Sequence, residues 1–204
     1  MLYTNTVQPG TLGLLRQIMD FPELKGYALA GGTALALQIG HRMSVDLDFF
    51  GNEAVDKEVI IRLMKNLGSV RPMNQTRSIL ILDVNDIKVD FVNYSYPLLL
   101  PTLQVEGIRF LSQEDIAGMK LAAIVGRGTK RDFIDLYFLL KRFTLKQLVS
   151  FYNAKYNDGS ELMVVRSLTY FEDAELETEP TMLMSCKWTA VKNTIRQKVS
   201  ELYG

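Results

Sequence analysis

The 204-residue sequence predicts an α+β protein: a small twisted mixed sheet with flanking helices, followed by a helical C-terminal half. Three observations carry this. Residues 77–94, RSILILDVNDIKVDFVNY, are two β-rich runs joined across Asn85-Asp86, the pattern of a hairpin. From Ser112 onward the apolar period becomes helical and stays so. Between the N-terminus and the hairpin, Gly31 to Phe50, GGTALALQIGHRMSVDLDFF, reads as a Gly-Gly turn, a short helix, and a strand carrying two carboxylates. The division implied is an α/β core over residues 1–110 and a helical region over 111–204 packed on it.

Taken in order, residues 10–20 read as a helix after Pro9, with Leu14, Leu15 and Ile18 on one stripe. Tyr27 to Ala30 is a short apolar strand that delivers the Gly-Gly turn. Thr33 to Ile39 is a nearly all-apolar, buried helix that Gly40 ends. Asp56 to Leu67 is amphipathic, with Val59, Ile60, Leu63 and Leu67 inward and Gly68 as the stop. Ser112 caps a helix starting at Gln113, with Glu114 and Asp115 in its positive first turn. A second helix follows Gly128, and Thr144 caps a third, Leu145 to Tyr156. Glu161 to Phe171 and Trp188 to Leu202 read as two more, with Glu172 to Pro180 a loop.

Composition narrows the function classes. Apolar residues make up 48% and charged residues 23%, as in an ordinary globular chain. The 23 Lys and Arg balance 23 Asp and Glu, so no global field draws the chain to nucleic acid or membrane. The single cysteine, Cys186, excludes an internal disulfide and suits a reducing cytosol. There is no secretory signal and no apolar run long enough to span a bilayer, so the expected location is cytoplasmic, with no membrane partner. His41 is the one histidine, so a zinc cluster or a histidine pair fails for want of ligands.

In a strand, residues i and i+2 share a face. Asp46 and Asp48 are therefore expected to point one way with Ser44 beside them, while Val45, Leu47 and Phe49 enter the core. Adjacent carboxylates repel unless a cation sits between them. Magnesium takes one or two carboxylates and completes its shell with substrate phosphates and water. The Gly-Gly turn offers backbone amides and a helix N-terminus to the same phosphates. Asp90 is a third carboxylate on a strand face. The bland alternatives are an exposed Asp pair at a strand end and a solvated Asp90.

The order Gly-Gly-Thr, then Ser-x-Asp-Leu-Asp, resembles the opening motif of the polymerase-β-like nucleotidyltransferase superfamily. GGTALAL followed by HRMSVDLDFF is similar to its AbiEii/AbiGii toxin branch, as is Leu111 to Leu139 with Lys120, Ala123, Arg127, Arg131, Asp132 and Asp135. The resemblance runs from Gly26 to Phe143. It implies the polymerase-β-like nucleotidyltransferase fold and metal-dependent transfer of a nucleoside monophosphate from a nucleoside triphosphate to an acceptor hydroxyl. In that reading Gly31, Gly32, Thr33 and Ser44 hold the nucleotide phosphates, with Lys120 and Arg131. Asp46 and Asp48 bind two Mg²⁺ ions, and Asp90 completes one shell and takes the hydroxyl proton. Lys120 neutralises developing phosphate charge, and Asp132, near Arg131, anchors Lys120 or binds the acceptor. The alternative for Lys120, Arg131 and Asp132 is an ion-pair set tying adjacent helices together.

The branch also implies a toxin with a cognate antitoxin. The expected acceptor is RNA, with transfer RNA ends favoured. Independently, Ile116 to Lys155 carries Lys120, Arg127, Lys130, Arg131, Lys141, Arg142, Lys146 and Lys155 against only Asp132 and Asp135. Such a block suits a phosphate backbone. The rival classes are a small-molecule nucleotidyltransferase of the antibiotic-modifying kind and a non-catalytic nucleotide-binding relative.

Overall fold

The computed structural model describes residues 1–52 and 56–203. The chain divides into a unit of Met1–Pro97 with Pro101–Leu111 and a unit of Leu98–Leu100 with Ser112–Gly204.

The first unit carries α1 (Pro9–Asp20), β1 (Tyr27–Leu29), α2 (Gly31–Ile39), β2 (Leu47–Gly51), α3 (Lys57–Lys65), β3 (Val70–Gln75), β4 (Ile79–Val84), β5 (Ile87–Asn93), β6 (Leu103–Val105) and β7 (Ile108–Phe110). The strands form one mixed sheet in the order β3-β4-β5-β2-β1-β7-β6. Asn85 and Asp86 both adopt positive φ, 53° and 63°, which closes β4 onto β5 in a tight two-residue turn. Burial alternates along β2 and β5 as their sequences require. The two strands run parallel, with Phe49 opposite Phe91 and Asp48 opposite Asp90. The Phe49 and Phe91 rings stack at 5.2 Å, and Tyr27 meets Phe91 edge-on at 5.6 Å. The Phe49–Phe91 stack on the core face thereby holds the register of Asp48 and Asp90 on the other.

Several expectations change. Val45 is 52% exposed rather than in the core, because strand pairing begins only at Leu47 and the chain before it is a loop. In α3, Met64 is fully buried while Val59 is only half-buried, as is Leu67 beyond the end of the helix. Strands β3, β6 and β7 were not expected. β3 holds Pro72, a register shift between Pro72 and Asn74, and almost no buried side chain. β6 and β7 are three residues each, turned by Glu106 and Gly107 at positive φ.

The second unit is built from α4 (Gln113–Gly126), α5 (Lys130–Leu139), α6 (Leu145–Lys155), α7 (Glu161–Leu168), α8 (Glu172–Glu175) and α9 (Trp188–Tyr203). Ser112, Thr129 and Thr144 each cap the helix that follows, and Thr144 forms a full capping box with Gln147. α7 ends at Leu168, short of Phe171, and the expected loop from Glu172 contains the single turn α8. That turn follows Phe171, whose ring packs on Phe133 at 4.8 Å and Trp188 at 5.9 Å. Deep in the unit, the Lys155 ammonium lies 2.6 Å from the Asp115 carboxylate, both side chains wholly buried. Asp115 also accepts from the Leu99 and Leu100 amides and the Ser112 hydroxyl. No helix among the described residues is long and apolar enough to cross a membrane.

Candidate functional site

The site begins where β1 turns into α2. The Ala30 amide donates to the Asp48 carbonyl at 2.8 Å, and Gly31 then enters the helix at φ +66°. A Cβ at Gly31 would lie 2.2 Å from Asp48 Oδ2, and one at Gly32 would lie 2.5 Å from Arg42 Nη2 and 3.5 Å from Ser44 Oγ. The two glycines thus let a carboxylate, a guanidinium and a hydroxyl close on bare backbone. Ala30 at the N-cap has no side chain to cap α2, and the first-turn amides form the positive end of the helix, which attracts an anion.

Thr33 is buried. Its hydroxyl is hydrogen-bonded to that of Ser44 at 2.8 Å and donates to the Asp46 carbonyl. Thr33 therefore fixes the 44–46 segment against α2. The Ser44 amide donates to the Thr6 carbonyl at 2.8 Å, a second tether on the same segment.

Asp48 and Asp90 are direct partners across β2 and β5, both half-buried. Like charges set opposite one another destabilise a sheet. Lys88, two residues back on the same face, offsets one of them, its Nζ 2.5 Å from Asp90 Oδ2. Asp90 Oδ1 is buried and has no hydrogen-bond partner among the described residues. Two opposed carboxylates, one with a buried oxygen of that kind, make the donor set that Mg²⁺ takes from a protein. Asp46 stands apart from the pair, one residue ahead of β2. Among the described residues no three Asp, Glu, His or Cys side chains converge as a ready metal cluster.

The remaining expected residues lie in the helical unit. Lys120 is buried, its Nζ 2.9 Å from Asp132 Oδ1 and 2.6 Å from Asp135 Oδ2. Asp132 Oδ2 accepts from Arg127 Nε at 3.1 Å and from the Thr129 hydroxyl at 2.7 Å. Burial alone would push the Asp132 carboxyl up. The Lys120 ammonium, the Thr129 hydroxyl and the Arg127 guanidinium outweigh it and hold the carboxyl below its ordinary range. Arg131 is exposed, and among the described residues no bond ties it to Asp132. Neighbouring residues on a helix do not face each other, so Arg127 takes the place expected for Arg131.

The basic block divides. Lys120, Lys130 and Lys155 are buried, Lys130 donating its ammonium to the Glu177 carbonyl. Arg131, Lys141, Arg142 and Lys146 are exposed. The site also holds two residues to which sequence reasoning gave no role. Lys88 shares a strand face with Asp90, and that i, i+2 spacing is a usable signal. Arg42 is 3% exposed yet reaches the backbone of Gly32, and nothing in its loop position announces it.

The model of the family "Nucleotidyl transferase AbiEii toxin, Type IV TA system" matches residues 13–200. An uncharacterised protein of Aquifex aeolicus (strain VF5) is 37% identical over 193 residues, covering 92% of this chain and 93% of the relative. Among solved structures, JHP933 from Helicobacter pylori superposes with a TM-score of 0.61 at 20% identity, covering 98% of this chain and 91% of its own. MenT4, a nucleotidyltransferase toxin from Mycobacterium tuberculosis H37Rv, gives 0.59 at 18%, covering 92% and 80%. These two share the fold. The family match reaches well past the 26–143 stretch in which its words are readable by eye. The uncapped turn, the opposed carboxylates and the match over nearly the whole chain agree: this protein is a nucleotidyltransferase and belongs to the AbiEii toxin family.

Proposed function

We propose that the protein moves a nucleoside monophosphate from a nucleoside triphosphate to a hydroxyl of RNA, transfer RNA ends foremost, as the toxin partnered by a cognate antitoxin. The observation that carries this is the bare first turn of α2 with Asp48 pressed against it. Triphosphate oxygens would accept from the Gly31 and Gly32 amides and from the Ser44 hydroxyl once it turns away from Thr33, and Arg42 would add a fixed positive charge. Thr33 keeps Ser44 and Asp46 in place. Asp46, Asp48 and Asp90 would hold Mg²⁺, two ions being expected, which when bound supplies a Lewis acid for the phosphates.

In the transfer, the acceptor oxygen attacks the α-phosphorus and the bond to pyrophosphate breaks. The hydroxyl proton passes to the Asp90 carboxylate. Lys120, positioned by Asp132 and Asp135, is assigned to phosphate charge, with exposed Arg131 as a second contact. The test is incubation with each α-labelled nucleoside triphosphate, Mg²⁺ and total RNA. Label should enter RNA with one nucleotide, disappear in EDTA and disappear in Asp48→Asn. Label in a small-molecule fraction and none in RNA overturns the acceptor, and equal transfer in EDTA overturns the metal.

A further inference from the structure

A groove of about 540 Å³ opens in the helical unit between the α5–α6 junction, residues 140–147, and Lys198, Glu201 and Leu202 of α9. Its cations are Lys141, Arg142, Lys146 and Lys198, against the single carboxylate of Glu201. Lys198 pairs with that carboxylate at 2.7 Å. The other three have no carboxylate partner among the described residues. The Lys141 ammonium rests over the rings of Tyr137 and Phe138, at 4.6 Å and 4.3 Å from their centroids. Arg142 Nη1 donates to the neutral Gln113 amide oxygen at 2.8 Å. In the first turn of α6 the capping box takes up the Thr144 and Gln147 amides. The positive excess comes from side chains set around a concavity, of which Lys141, Arg142 and Lys198 are each held by a neighbour.

The groove also carries an aromatic. Phe143 lines it half-buried, its ring set edge-on against Phe151 at 5.3 Å. A concave, cation-rich wall with a half-exposed ring matches what a single polynucleotide strand needs: charge for the backbone and a face for one base.

We propose that this groove binds a single-stranded segment of the RNA acceptor, its phosphodiester backbone along Lys141, Arg142, Lys146 and Lys198 and one base stacked on Phe143. The proposal rests on the RNA reading above and adds where the strand is held. It is tested by fluorescence anisotropy with a labelled single-stranded oligoribonucleotide across a salt series. Wild-type affinity should fall linearly in log[salt], with a slope near −0.7 for each phosphate contacted. Arg142→Glu/Lys146→Glu should lose about tenfold or more in affinity and show a shallower slope. The charge-matched control Arg62→Glu/Lys65→Glu on α3 should bind as wild type. Phe143→Leu should weaken binding at unchanged slope, and Phe143→Trp should restore it, with melting curves showing each variant folded. Salt-dependent wild-type binding that the groove variants leave unchanged overturns the groove while the RNA reading stands. Equal loss in groove variant and control means diffuse charge and also overturns it. No wild-type binding at low salt overturns both, and an acidic protein competing where RNA does not would assign the groove to a protein partner instead.

Discussion

Gly31 owes its place to Asp48, whose carboxylate fills the space that a side chain would need. In Gly31→Ala the new methyl must move that carboxylate, and the left-handed φ adds about 1–2 kcal/mol of backbone strain. The transfer rate should fall by about 100-fold, as small misplacements of a reacting group do, while the melting temperature drops only a few degrees. Unchanged transfer in a folded variant would show that Asp48 can shift without consequence. Asp132 has a pH signature. Its folded-state pKa lies below the ordinary 3.8, so the ionised carboxylate stabilises the fold above that pH and the contribution is lost as pH falls through the folded value. The stability gap between wild type and Asp132→Asn should thus be full at neutral pH and shrink below 3.8. A gap that persists into acid would place the cost of the substitution in shape rather than charge. At this scale the sequence disclosed chemistry better than partners. Two glycines ahead of Asp48 mark a close approach to bare backbone, but Arg127 rather than Arg131 meets Asp132 only because of helix phase at a cap.

Between β2 and β5 one register serves two faces. Sliding either strand by one residue would send Phe49 or Phe91 to solvent and part Asp48 from Asp90. Phe91→Ala removes the stacking partner of Phe49 and the edge contact of Tyr27, and should cost about 3–5 kcal/mol in urea denaturation. Transfer by the fraction still folded should fall as well, since the carboxylate pair loses its clamp. Full specific activity in that fraction would separate register from catalysis. Elements with strong local signals were legible: the Asn85-Asp86 hairpin through its turn chemistry, α4 and α6 through their caps, and α5 through the glycine ahead of it. β3 was not, because its exposed side chains and Pro72 carry no alternation and only pairing with β4 makes it a strand. β6, β7 and α8 are too short for any period to register.

Across the molecule, the chain passes between its two units at residues 97–98, 100–101 and 111–112. Sequence reading drew one boundary near residue 110. It had no means of seeing that Leu98–Leu100 joins the helical unit through amides bound to Asp115. Lys155→Met leaves the Asp115 charge buried without its ammonium, and should destabilise the helical unit by about 3–5 kcal/mol. The double variant Asp115→Leu/Lys155→Met should recover part of that loss, because no lone charge remains buried. A double variant as unstable as the two singles combined would mean that the Leu99 and Leu100 amides depend on the carboxylate more than on the pairing. There is a consequence for how such chains exchange halves. Asp115 is met by backbone, so what donor and recipient must share is the length and course of the stretch around residues 98–100, not its side chains. A single crossover near residue 111 would join a helical half to a strap inherited from another lineage. Any insertion or deletion between β5 and β6 then becomes an incompatibility carried in the wrong half of the gene. The helical unit is heritable intact only together with three residues embedded in the sequence of its neighbour.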